Sequence, residues 1–284
     1  MAFNHYRNKT VVIKYGGSAM ETAGLMLSIL EDIAKLRNSG VNVVIVHGGG
    51  PELSAMQTRL GIETKFIDGL RVTDPETVDA ALMVLCGKLN KDIVRMLENE
   101  GCRAVGLAGI DGSILKCKRY ANHDIGFVGE IIQIDESLIS ALIAGGFVPV
   151  ISSVGIGEDG LAYNINADTA AGRIAAAMNA DCFLALSDVP GVYRDMQDPA
   201  SLIDCMDVDT AEELFMTGAF KNGMIPKVRG LIEAIRSGVR QAAIIDGHVP
   251  HALLLSLAER VAPGYEPANG SKTGFTGTTI VGGK

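Results

Sequence analysis

The chain has 284 residues, room for one large α/β domain or two ordinary ones at roughly 150 residues each. Apolar side chains make up 48% and aromatic ones 5% with no tryptophan, so the core must be aliphatic. With 33 acidic against 25 basic residues the formal charge is -8, which excludes nucleic acid and anionic lipid as main partners and leaves any anion to be held by local geometry.

The first strand, Val11 to Tyr15, runs into Gly16-Gly17, and a second, Asn42 to Val46, runs through His47 into Gly48-Gly49-Gly50-Pro51. A glycine turn between strand and helix lets backbone N–H groups approach an anion without a Cβ clash, and the helix N-terminus adds about half a positive charge. Two such cradles on neighbouring strands suit a reaction that brings two anions together. Lys14 stands at the mouth of the first, and His47 reads as packed and hydrogen-bonded rather than reactive.

Further along, Thr73-Asp74-Pro75-Glu76 reads as a capping box with an early proline, starting a helix whose apolar face runs through Val78, Leu85, Ile93 and Leu97. A strand follows at Arg103 to Leu107, and hairpins beside the main sheet are expected over 118–134 and 155–165, where glycine turns replace helical period. Asp135 caps a helix ending at Gly145-Gly146, before a strand at Val148 to Ser152. An Ala-rich helix from Ala167 to Met178 and strands at Cys182 to Leu186 and Ala242 to Asp246 complete the pattern. Continuous apolar strands alternating with helices predict an open three-layer αβα sandwich with a central, mainly parallel sheet. The expected division is near residue 179, into halves 1–179 and 180–284.

Three further segments carry chemistry. Arg71 in Gly69-Leu70-Arg71-Val72-Thr73 precedes a helix start, where a guanidinium is out of place unless it grips a carboxylate. Asn164, Asn166 and Asp168 alternate with apolar residues before the Ala-rich helix, supplying both a cap and a polar pocket wall. Lys227 follows Gly223-Met224-Ile225-Pro226 and offers a second clamp.

Two motifs fail on context. Residues 155–160 match GxGxxG but hold two acids and lead into no apolar helix, so they read as a hairpin turn and bind no dinucleotide. Gly270-Ser271-Lys272-Thr273 imitates a P-loop ending without its upstream glycine. Five widely spaced cysteines without a CxxC pair suit reduced thiols, and neither a membrane span nor a leader is read, so a cytoplasmic location is expected.

Lys14-Tyr15-Gly16-Gly17, His47 to Pro51, Gly69 to Thr73, Tyr163 to Asp168, Leu186 to Gly191 and Gly223 to Lys227, in this order, resemble the amino acid kinase superfamily. The Gly-Leu-Arg-Val-Thr and Asn-Ile-Asn-Ala-Asp segments resemble its acetylglutamate kinase branch. The resemblance implies ATP-dependent phosphorylation of the side-chain carboxylate of N-acetyl-L-glutamate, the second step of arginine biosynthesis. It implies that Lys14 and Lys227 neutralise the moving phosphoryl group while Asp168 holds both, and that Gly49, Gly50, Arg71 and Asn164 bind acetylglutamate. Gly16, Gly17, Asp188, Gly191, Tyr193 and Met224 would contact the nucleotide, with Mg2+ carried by ATP and no tight carboxylate cluster to hold a metal by itself.

The alternatives are a related kinase acting on N-acetyl-aminoadipate or another small carboxylate, and a non-catalytic ligand-binding sensor. Arginine-inhibited members resemble one another in a long N-terminal helix and in a glutamate shortly after a histidine. Here ten residues precede Val11, Ser256 follows the His251 to Leu255 run, and Pro263 to Gly274 reads as an insertion. Weak or absent arginine inhibition is therefore expected, with a homodimer as the minimum assembly.

Overall fold

The computed structural model describes residues 4–16, 20, 22–195, 197–220, 223–259 and 277–283; Gly17, the 263–274 segment and the P-loop-like 270–273 lie outside them. In chain order the elements are β1 (Thr10–Tyr15), α1 (Ala23–Asn38), β2 (Asn42–His47), α2 (Gly50–Leu60), β3 (Phe66–Ile67), β4 (Leu70–Arg71) and α3 (Pro75–Ala81). A π-helical stretch, Leu82–Leu89, joins α3 to α4 (Asn90–Asn99). Then come β5 (Ala104–Ala108), β6 (Leu115–Arg119), β7 (Gly129–Ile134), α5 (Ser137–Ala144), β8 (Val148–Ser152), β9 (Val154–Gly157), β10 (Ala162–Asn164) and α6 (Ala167–Ala177). The chain continues through β11 (Cys182–Ser187), β12 (Cys205–Asp207), α7 (Val208–Met216), α8 (Met224–Arg236), β13 (Gln241–Asp246), α9 (Ala252–Glu259) and β14 (Gly277–Val281).

Eight strands form the main sheet in the order β12-β14-β13-β11-β1-β2-β8-β5. Six of them, from β13 to β5, are parallel neighbours, while β14 runs antiparallel to β13 and carries β12 with it. Alternation along the strands splits the core in two. Val11, Ile13, Ile45, Leu184 and Ile245 meet α1, α2, α3, α4 and α9 on one face. Val12, Val44, Phe183 and Ile244 meet α5, α6, α7 and α8 on the other. The sheet is therefore the middle of three layers, as the apolar strand runs predict.

The strands before residue 179 occupy one side of this sheet and those after it the other, with β1 and β11 as the seam. The order also reverses there, since β1 leads to β2 on one flank while β11 pairs on the other. Ligands of open α/β sheets bind beyond the carboxyl ends of the strands at such a point. Beside it, β6, β7, β9 and β10 make a separate four-stranded sheet, matching the expected hairpins.

Three local expectations change. The cap of α3 is Asp74, whose side chain accepts from the Thr77 N–H at 2.7 Å. Thr73 is instead fully buried, its hydroxyl donating to the Arg71 carbonyl at 2.9 Å. Asp135 accepts from the Ser137 N–H at 3.0 Å, a turn bond, and the cap position of α5 falls to Glu136. The third change is the π-helical winding of Leu82–Leu89 inside what reads as one regular helix.

Candidate active site

Because Val12 faces α6 and α8, Lys14 two residues on faces the same layer and reaches the end of β1 beneath those helices. Asn166 caps α6, accepting from the Asp168 and Thr169 N–H groups at 3.0 Å each, which sets Asp168 in the first turn. A Cβ on Gly172 would lie 2.7 Å from the Gly230 carbonyl oxygen, so glycine lets α6 and α8 touch backbone to backbone. That contact brings Lys227 of α8 beside Asp168. Lys14 Nζ lies 3.2 Å from Asp168 Oδ1 and Lys227 Nζ lies 3.6 Å from Oδ2.

The three side chains are only 8 to 14% exposed. Burial pushes the Lys14 ammonium below its ordinary pKa, and Lys227 adds repulsion, while Asp168 and Asp188 oppose the shift. Burial alone would raise the Asp168 carboxyl, yet Lys14 and Lys227 outweigh it and hold the group below the usual carboxylate range. Within this triad two positive charges face one negative, and Asp188, near enough to act on Lys14, offsets part of the difference.

The second cradle lies on the neighbouring strand. Gly49 adopts φ +150°, and a Cβ there would collide with Leu85 and Leu89. Gly16 sits between the two cradles, where a Cβ would lie 3.8 Å from Lys14 Nζ and 3.9 Å from the Gly48 nitrogen. Arg71, 8% exposed, closes the other side. Its Nη2 donates to the Gly50 carbonyl and to Ser54 Oγ at 2.9 Å each, its Nη1 donates to Gln57 Oε1, and its guanidinium lies 4.7 Å from the Phe66 ring centre. Burial lowers the pKa of Arg71. Asn164 joins this group through Thr73, donating to its hydroxyl at 3.2 Å.

The remaining sequence candidates follow β11 or open α8. Asp188 accepts from Ser187 Oγ at 3.3 Å and acts electrostatically on Lys14. Gly191 packs on β14, and the next N–H, of Val192, donates to Thr278 Oγ1 at 2.7 Å. Tyr193 bridges Leu202, and Met224 packs half-buried against the core under α8. Thus Lys14, Gly16, Asp168, Lys227 and Asp188 converge, as do Gly49, Gly50 and Arg71, while Gly191, Tyr193 and Met224 line the segments beyond. Sequence reasoning missed Gln57 and Asn90, although each is a polar residue on a buried helical stripe, with Leu53 and with Ile93 and Leu97 respectively.

The described residues contain no group of three His, Cys, Asp or Glu placed to hold a metal ion, and none of their helices is long and apolar enough to cross a membrane.

Residues 9–246 match the amino acid kinase family. The acetylglutamate kinase of Clostridioides difficile (strain 630) is 44% identical over 252 residues, which is 89% of this chain and 88% of the relative. That of Synechococcus sp. (strain JA-2-3B'a(2-13)) is 48% identical over 252 residues, 89% of this chain and 81% of the relative. Among solved structures, N-acetylglutamate synthase from Neisseria gonorrhoeae complexed with coenzyme A and N-acetyl-glutamate overlays with a TM-score of 0.81 at 19% identity, over 100% of this chain and 62% of that one. Carbamate kinase from Giardia lamblia bound to AMP-PNP gives 0.69 at 19% identity, over 97% and 99%. These two overlays speak for the shared fold alone, whereas the sequence matches go further: the chain belongs to the amino acid kinase family and, within it, to the acetylglutamate kinases.

Proposed function

We propose that this chain transfers the γ-phosphoryl group of ATP to the side-chain carboxylate of N-acetyl-L-glutamate, giving N-acetyl-L-glutamyl 5-phosphate and ADP in the second step of arginine biosynthesis. The carrying observation is the pair of ammonium groups held by Asp168 beside the Gly48–Gly50 turn. As the bond from phosphorus to the ADP oxygen breaks and that to the carboxylate oxygen forms, negative charge spreads over the transferring oxygens. Lys14 and Lys227 stabilise that charge, and Asp168 keeps both heads in place while neither is engaged. A carboxylate acceptor has no proton to lose, so the reaction needs no general base. Alignment and preorganised charge supply the catalysis.

Arg71, fixed on three acceptors, presents its free N–H groups to a substrate carboxylate, with Asn164, Gly49 and Gly50 completing acetylglutamate binding. Gly16, Gly17, Asp188, Gly191, Tyr193 and Met224 contact the nucleotide. The donor set suits Mg2+ delivered on ATP oxygens, because both Asp168 oxygens already face ammonium groups. In this reading residues 1–179 bind acetylglutamate and pair in a homodimer or larger assembly, residues 180–284 bind the nucleotide, and the enzyme works in the cytoplasm with weak or no inhibition by arginine.

Hydroxylamine trapping of the acyl phosphate tests the reading, with ATP and acetylglutamate, glutamate, aspartate or N-acetyl-aminoadipate as acceptors. Acetylglutamate should give the highest kcat/KM. A higher value for acetyl-aminoadipate, one methylene longer and separable by about 1 to 3 kcal/mol, would reassign the substrate, and no trapped product with any acceptor would refute kinase activity.

A further inference from the structure

On the sheet face opposite Lys14, a chain of neutral hydrogen bonds runs under the second cradle. His47 is fully buried at the end of β2, and its Nδ1 lies 2.9 Å from the Gly48 carbonyl oxygen. A carbonyl only accepts, so Nδ1 carries the proton. Its Nε2 lies 3.0 Å from Asn90 Nδ2, which also reaches the carbonyls of Val150 at 2.9 Å and Leu107 at 3.2 Å. Those two carbonyls require the Asn90 amide to turn its NH2 toward the sheet, and Lys91 Nζ, 3.0 Å from Asn90 Oδ1, demands the same orientation. The two amide hydrogens serve the shorter contacts, to Val150 and to Nε2, and the longer one to Leu107 shares a hydrogen, so Nε2 is the acceptor and His47 is the neutral Nδ1–H tautomer.

In a trans peptide the carbonyl and the following N–H point in opposite directions. With its carbonyl held by the imidazole, the Gly48–Gly49 peptide must turn the Gly49 N–H away from the ring. Nothing in two consecutive glycines would otherwise stop that peptide from flipping. The π-helical stretch serves both ends of this arrangement: Leu85 and Leu89 wall Gly49, and the residue after them is Asn90. Such windings concentrate at functional sites.

We propose that His47 and Asn90 are positioning residues for phosphoryl transfer, a relay from Asn90 through His47 to the Gly48 carbonyl that keeps the Gly49 N–H aimed at the reacting anions. The proposal rests on the reading that the Gly48–Gly50 turn binds the reactants. Burial, which pushes the His47 pKa down to about 4, keeps the ring in the neutral form the relay needs.

The test compares His47→Asn with His47→Gln. An asparagine amide nitrogen occupies roughly the place of Nδ1 and still donates to Gly48, whereas a glutamine amide lies near Nε2 and misses it. The glutamine variant should lose about 10- to 100-fold in kcat, less than a deleted oxyanion donor costs, with the KM for ATP unchanged, and the asparagine variant should recover most of that loss. Equal rates in the two variants would overturn the relay. Nitrogen-15 NMR of the wild-type histidines decides it without any variant: His47 should show the Nδ1–H tautomer and no titration from about pH 5.5 to 8. An Nε2–H signal would overturn the relay. A wild-type protein without acetylglutamate kinase activity would instead refute the functional reading, leaving the tautomer to judge the wiring.

Discussion

The two faces of the sheet meet the same mouth with opposite chemistry. Under α6 and α8 the site is made of formal charges at low exposure, two ammonium groups balanced on one carboxylate. Under the π-helical stretch and α4 its buried part is made of neutral groups, an imidazole, an amide and three backbone carbonyls, with the exposed Lys91 ammonium bonded to the amide oxygen at the rim. Charges buried this way stabilise a charged transition state but depend on each other, since removing one partner leaves another uncompensated. A neutral network carries no such penalty, but every donor must find its acceptor. Losses on the charged face should therefore appear chiefly in rate, and losses on the neutral face as a smaller loss of rate together with a change in the pH dependence of stability.

The largest effect belongs to the charged face. Lys227→Ala should lower kcat about 100- to 1000-fold while leaving the acetylglutamate KM nearly unchanged, as for loss of a transition-state donor. Steady-state kinetics showing a raised KM at intact kcat would move Lys227 into ground-state binding. Arg71→Ala should do the reverse, raising the acetylglutamate KM about 30-fold or more, since truncating a hydrogen-bonded charge that grips a carboxylate costs at least about 2 kcal/mol. If the two phenotypes exchanged places, the assignment of rate to one group and affinity to the other would fall.

On the neutral face the sharper readout is stability. Folded His47 has a pKa of about 4 against an ordinary 6.5, because burial disfavours the cation and nearby Lys91 adds to it. Between those values the unfolded chain takes up a proton that the folded chain refuses, so stability falls as pH drops through the window, by about 3 kcal/mol in all. His47→Asn should remove that portion of the slope, measured as urea midpoints from pH 7 to about 4. A slope unchanged by the substitution would place the acid sensitivity elsewhere. Smallest of all is the exposed pair of Lys88 with Asp92, at 2.6 Å one helical turn apart. Lys88→Ala should change stability by no more than about 0.5 kcal/mol, and a larger change in the urea midpoint would show that exposure at this site does not screen the pair.

Much of this was readable from the chain alone because the parallel strands are largely continuous apolar runs, with β1 and β2 ending in the glycine cradles, and burial on both faces leaves them no other pattern. The edge was harder. β14 and β12 are short and follow segments without helical period, and β14 reverses direction beside β13, which no local signal announces. At α3, Thr73 and Asp74 both qualify as caps, and the choice between them was made by Asn164, ninety-one positions away, which occupies the Thr73 hydroxyl. Lys14, Asp168 and Lys227 were visible as candidates one by one. Their meeting depends on Gly172 lying against Gly230, a tertiary contact. Gln57 and Asn90 were overlooked because a polar residue on a buried stripe declares only that it has partners, and the partners come from α3 and β4 and from β2, β5 and β8.

The central claim is that Asp168 and the lysines act as one unit, and a double-mutant cycle on kcat between Asp168→Asn and Lys227→Ala tests it directly. If the carboxylate works by holding the ammonium heads, adding Asp168→Asn to the Lys227→Ala enzyme should cost far less than it costs the wild type. Strictly additive losses in the logarithm of kcat would contradict the account, because they would mean that the aspartate and the lysine contribute to the reaction independently.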